Sequence, residues 1–125
     1  MASPIRRERV AEQIRDELSD IVQNDLRDPR KGWLTILRVA MSPDLNYARV
    51  YVSVLGSASE KEAALDVLQR AARFLRAELG RRVRLRQTPE LRFELDESIE
   101  QGLRIQEILN ETEIPPENGG EDEAR

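Results

Sequence analysis

An α+β fold, with helices covering one face of a three-stranded sheet, is what this sequence predicts, and three observations carry it. Apolar residues recur at helical spacing over 4–27 and again over 60–83. Short runs beginning at Trp33, Tyr47 and Leu91 alternate instead with the period of a strand. The order is helix, strand, strand, helix, a second helical portion, then strand. Such an order buries the apolar side of every element if the helices form one layer on the sheet.

The first helix rests on Ile5, Val10, Ile14, Leu18, Ile21, Val22 and Leu26, which form one apolar stripe. Arg6, Arg7, Arg9 and their acidic neighbours read as its solvated face. Pro4 suits the first turn, and Asp28-Pro29 stops the helix. Gly32 opens a strand in which Thr35, Leu37, Val39 and Met41 share a face. Pro43-Asp44-Leu45-Asn46 is turn chemistry, so the next strand, Tyr47 to Leu55, pairs with the first as an antiparallel hairpin. In it Ala48, Val50, Val52 and Val54 point one way, and Tyr47, Arg49, Tyr51 and Ser53 the other.

Ser59 with Glu62 has capping-box spacing, which predicts a helix from near Glu60. The apolar row to Val83 is either one helix over 60–83 or two that meet at a kink near Ala71-Ala72. Gly80 reads as an interior helix position, because Val83 continues the row from Leu75 and Leu79. Thr88-Pro89 breaks the chain before Leu91, Phe93 and Leu95 alternate as the third strand. Arg92 is expected to pair with Glu94 on the same face. Ser98 with Gln101 predicts a short last helix to about Asn110, so the folded domain is 1–110. Residues 111–125, rich in Glu, Pro and Gly, read as a disordered acidic tail.

Composition removes whole classes of chemistry. With no cysteine and no histidine there is no disulfide, no thiolate or zinc centre, no cysteine nucleophile and no histidine base. Lys31 and Lys61 lie in polar segments, and the carboxylates are spread along helix faces. The expectation is a protein that is not an enzyme, holds no metal or cofactor and takes no small-molecule substrate. No apolar run approaches a membrane span and the N-terminal residues lack a signal-peptide core, so a cytoplasmic monomer without a membrane partner is expected.

Charge supplies the positive signal. Residues 70–92 hold eight arginines against Glu78 and Glu90, a local +6 in a chain of net charge −4. A single basic band on an acidic protein is a footprint for a polyanion. Arg73, Arg76, Arg81, Arg82, Arg84 and Arg86 are the candidate RNA-binding residues, through phosphate contacts that position a protein without reading sequence. The alternative is an interaction adaptor whose basic band docks on an acidic protein. Five aromatic residues in the whole chain argue against extensive base stacking.

The element order is that of type II KH-like nucleic-acid-binding domains. Ordinary KH domains carry a GxxG loop between two helices, where glycines let the backbone approach phosphate. No GxxG occurs in this chain.

Three blocks, RRERVAEQIRDELSDIV with the following DPR, VAMSPDLNYARVYVSV, and FLRAELGRRVRLRQTPELRFELDESIEQG, resemble the ribosome-binding factor A family over roughly residues 5–110. The resemblance implies a type II KH-like fold in which a helical kink with an Ala-x-Gly pattern replaces GxxG. Here that kink falls on Ala71, Ala72 and Arg73. Ala71 matches, whereas Arg73 stands where the family commonly has glycine and supplies a guanidinium fork suited to phosphate. The resemblance also implies binding to the free 30S small ribosomal subunit and its 16S rRNA. Assistance in late maturation, including processing near the 5′ end of that RNA, comes with it.

Overall fold

The structure, a computed structural model, describes residues 2–98 of the 125. The described residues up to Leu95 make one compact unit. The helix expected to end near Asn110, the boundary there and the acidic tail lie outside the described residues.

Helix α1 runs Pro4–Asn24, with the Ser3 side chain accepting the Arg6 backbone N–H at its start. Val10, Ile14, Leu18, Ile21 and Val22 are buried, but Ile5, expected in the same stripe, is exposed. The helix also stops earlier than expected. Asp25 ends it, and Lys31 folds back so that its ammonium donates to the carbonyls of Val22 and Leu26, both at 2.6 Å. A cation on the last carbonyls satisfies acceptors that lack an intrahelical donor and complements the helix dipole.

A single 3-10 turn, Pro29–Lys31, leads into β1, Trp33–Met41, and β2, Tyr47–Leu55. The two strands pair antiparallel, as the hairpin reading requires. The inward phase of β1 is a correction. Leu34 and Ile36 are buried and Thr35 is exposed, because the register shifts between Ile36 and Arg38. Leu37 is the extra residue of a β-bulge, which hands the inner face from Leu34 and Ile36 to Val39 and Met41.

Helix α2, Ala58–Arg70, starts two residues before the expected position. Its capping box is Ser57 with Glu60, not Ser59 with Glu62. Gly56 is required beside it: φ is +142°, and a Cβ there would sit 2.7 Å from the Glu60 carboxylate that holds the Ser57 N–H. Helix α3 spans Ala72–Arg82, so the open choice resolves to two helices joined at Ala71. Gly80 lies inside α3, as expected.

Strand β3, Glu90–Leu95, pairs parallel to β2, giving a mixed sheet in the order β1-β2-β3. Ala48, Val50, Val52 and Val54 in the central strand are flanked by Leu91 and Phe93 on one side and Leu34, Ile36 and Met41 on the other. All of these are buried under α1, α2 and α3, which contribute Ile14, Leu18, Ile21, Leu68, Leu75 and Leu79. Each such side chain contributes roughly 1.5–3 kcal/mol by leaving water. Among the described residues no polar or charged side chain is buried, so all of the ionic chemistry is at the surface.

Candidate nucleic-acid interface

Helices α2 and α3 meet at Ala71, whose φ of −88° and ψ of 3° depart from helical values, and α3 begins there without a side-chain cap. The Leu75 N–H still donates to the Ala71 carbonyl, so the two helices are hinged at one residue instead of separated by a loop. Ala71 and Ala72 are half-buried against the core, and Arg73 in the first turn of α3 is exposed. The three residues expected at the junction are therefore together, with Arg73 as the one that faces solvent.

Leu75, Leu79 and Val83 anchor α3 inward, which leaves 73, 76, 77, 80 and 81 on its outer side. Beyond the helix the chain alternates. Val83 is buried and Leu85 packs against the core, so Arg84 and Arg86 project outward. Two contacts hold this segment on the helix. The Arg76 guanidinium donates to the Thr88 carbonyl at 2.7 Å through Nη2 and to the Pro89 carbonyl at 3.2 Å through Nε. A Cβ on Gly80 would lie 2.9 Å from Thr88 Oγ1, so the glycine permits that close approach.

The six predicted arginines thus separate. Arg76 is engaged with backbone carbonyls. Arg82 turns to α1, where its guanidinium meets Asp20 at 2.6 Å, Asp25 at 3.0 Å and Glu17 at 3.3 Å. That cluster holds the Asp20 carboxyl below its ordinary range and raises Arg82, in both cases chiefly through their shared hydrogen bond. Arg81 pairs with Glu78 on the surface. Arg73, Arg84 and Arg86 have no ion-pair partner among the described residues and are exposed.

Helical spacing alone puts Arg6 on the solvated face of α1, yet the structure sets it beside Arg86. A shallow cleft of about 370 Å³ is lined by Arg6, Leu85, Arg86 and Gln87 together with Asp44 and Asn46 of the β1–β2 turn. The Asp44 carboxylate in it already accepts from Ser42 Oγ at 2.7 Å and the Asn46 N–H at 3.0 Å, which lowers its pKa. The run Arg6-Arg7-x-Arg9 is the one signal the sequence offers. Only tertiary packing shows that Arg6 lines the same cleft as the loop after α3.

Helix, hairpin, two helices hinged without GxxG, and a last strand parallel to the centre of the sheet define a type II KH-like domain with an arginine-bearing segment following α3 and held against that helix. Comparison with known proteins takes this further. The sequence model described as ribosome-binding factor A matches residues 6–109. The ribosome-binding factor A of Acetivibrio thermocellus is 55% identical over 108 residues, 86% of this chain and 88% of that protein. That of Caldicellulosiruptor bescii is 49% identical over 116 residues, 90% and 88% of the two chains. The chain belongs to the ribosome-binding factor A family. Its fold agrees: the crystal structure of ribosome-binding factor A from Thermus thermophilus aligns with a TM-score of 0.65 at 37% identity, covering 71% of this chain and 94% of that one. A homology model of the Thermus thermophilus factor, fitted into a cryo-EM map of its complex with the 30S subunit, aligns with a TM-score of 0.62 at 36% identity, over 73% and 96% of the chains. Among the described residues no helix is long and apolar enough to cross a membrane.

Proposed function

We propose that this protein is a ribosome assembly factor. It binds the free 30S subunit and its 16S rRNA as a monomer in the cytoplasm and assists late maturation, including processing near the 5′ end of that RNA, without catalysing a reaction itself. The observation that carries this reading is the segment 83–87, whose apolar residues are packed on the core while Arg84 and Arg86 project with no protein partner among the described residues. The similarity to a factor fitted on a 30S subunit supports the choice of polyanion. Arg73, Arg84 and Arg86, joined by Arg6, make the phosphate contacts. Arg81 exchanges Glu78 for phosphate when bound, since a surface ion pair is worth little. Arg76 and Arg82 act indirectly, by fixing the segment and the end of α3.

The test follows counterion release. Removing one arginine that pairs with a phosphate should reduce the slope of log K against log salt by about one unit. Arg84→Ala with Arg86→Ala should weaken co-sedimentation with small subunits and flatten the slope by about two units. Wild-type affinity and slope in that variant would remove the basis for the interface. In cells lacking the protein, the proposed role predicts accumulation of 16S rRNA precursor with an unprocessed 5′ end.

A further inference from the structure

The sheet has a second side. Its inner face is covered by the helices, whereas its outer face carries Trp33, Thr35, Arg38 and Ala40 from β1, Tyr47, Arg49, Tyr51 and Ser53 from β2, and Glu90, Arg92 and Glu94 from β3. Rings and guanidiniums alternate there. The Arg38 guanidinium carbon lies 3.8 Å from the centre of the Tyr51 ring, and that of Arg92 lies 4.8 Å from the centre of the Tyr47 ring. Arg49 meets Glu94 at 3.0 Å, and Arg92 meets Glu90 at 3.5 Å.

The register explains a depression in this surface. Ala40, Arg49 and Arg92 occupy one row across the three strands, with Tyr47 in the next row. The small Ala40 side chain, at the edge-strand end of that row beside the long Arg49, leaves a dent of about 390 Å³ lined by Ala40, Tyr47, Arg49 and Arg92. That size is in the ~300–1,000 Å³ range of small-ligand clefts. Tyr47 offers a half-exposed ring, and Arg92 already lies over that ring, as a flat cation does in stacks with bases. The face has three arginines against two glutamates, a positive balance on a chain of net charge −4.

We propose that this dent binds an unpaired nucleotide of single-stranded RNA, the base stacking on Tyr47 and the adjoining phosphates pairing with Arg49 and Arg92. The charge balance and the alternation of rings with guanidiniums favour RNA over a protein surface. The exposed apolar pair suited to a protein contact, Trp33 opposite Leu55, lies at the other end of the hairpin. The proposal rests on RNA being the ligand class of the proposed function, but it places a second contact on the face opposite the helices.

Binding of a fluorescently labelled adenosine octamer to the full chain, followed by anisotropy, tests it. Tyr47→Leu should weaken octamer binding about tenfold, equivalent to about 1.4 kcal/mol and within the range for one base–ring stack. Tyr47→Phe should stay close to wild type, because it keeps the ring. Arg49→Gln with Arg92→Gln should weaken binding and flatten its salt dependence, and gives a second readout away from the core. No octamer binding by the wild type, or binding unchanged in Tyr47→Leu and in the double glutamine variant, would overturn the proposal. So would a Tyr47→Leu variant that loses small-subunit association but keeps octamer binding, since the face would then be a protein contact. A concentration-dependent dimer abolished by Tyr47→Leu would overturn it in favour of a second copy. Failure here leaves the Arg84 and Arg86 salt slope on small subunits unaffected, so the two readings fail separately.

Discussion

Arg82 shows how far an arginine's role depends on what surrounds it. It sits in the basic band with Arg81 and Arg84, but its guanidinium spans Glu17, Asp20 and Asp25 and ties the end of α3 to α1. Replacing it with methionine keeps much of the stem and leaves three carboxylates close together without their counter-charge. The melting temperature of Arg82→Met should fall at low ionic strength and recover part of the way in high salt, where like charges are screened. Wild-type melting at both salt concentrations would show that the cluster holds nothing. Asp28 gives the corresponding pH effect. The Arg30 side chain and backbone N–H hold its carboxyl down at about 2, against an ordinary 3.8. A depressed carboxylate contributes stability that is present above its unfolded pKa and is lost as pH falls through the folded one. The window is therefore about pH 4 to 2. Denaturant unfolding over that window should show a steeper loss of stability for the wild type than for Asp28→Asn.

At the scale of elements, periodicity made most of the fold legible. The clean alternation of β2, the helical rows over α1 and over α2 with α3, and the stop at Thr88-Pro89 each followed from apolar spacing or from proline. What spacing could not show was phase. One bulged residue, Leu37, shifts the inward positions of β1 from Leu34 and Ile36 to Val39 and Met41, and a bulge leaves no signature in a run such as Trp-Leu-Thr-Ile-Leu, where apolar residues stand at both phases. The capping box moved by two residues because Ser57 and Ser59 offer similar chemistry, with acids at both 60 and 62. Ion pairs were less legible still. Arg92 pairs with Glu90 while Glu94 crosses to Arg49, so two other pairs take the place of the expected Arg92–Glu94 pair. Gly80 is where sequence and packing meet. An exposed helix glycine costs about 1 kcal/mol relative to alanine, but here a Cβ would press on Thr88 Oγ1 at 2.9 Å. Gly80→Ala should stabilise by up to about 1 kcal/mol in a Thr88→Ala background and by clearly less in the wild type. Equal gains in both backgrounds, measured by denaturant unfolding, would mean that the close approach imposes no constraint.

For the whole molecule, the sequence overstated the basic band and understated its sorting. The +6 over residues 70–92 counts Arg82, Arg70 and Arg81, which form ion pairs with carboxylates, beside Arg73, Arg84 and Arg86, which form none among the described residues. Partners 57 to 65 residues away made that division for Arg82, and no local pattern encodes such a distance. The acidic remainder has a consequence of its own. Residues 111–125 hold six acids and one arginine, so converting the six to their amides changes the net charge of the full chain from −4 to +2. A net negative chain is repelled by nucleic acid at distances where its few uncommitted arginines are still unengaged. Those arginines then act only where the surface fits closely enough to bring phosphates within the ~10 Å screening length at 0.1 M salt. The amide variant should therefore bind unrelated RNA, such as a random-sequence duplex, more tightly at low salt, with the difference vanishing towards ~1 M. Its affinity for small subunits should change less, because close contacts dominate there. Equal affinities of the two chains for unrelated RNA at low salt would show that overall charge does not set selectivity, leaving it to the shape of the surface around Arg73, Arg84 and Arg86.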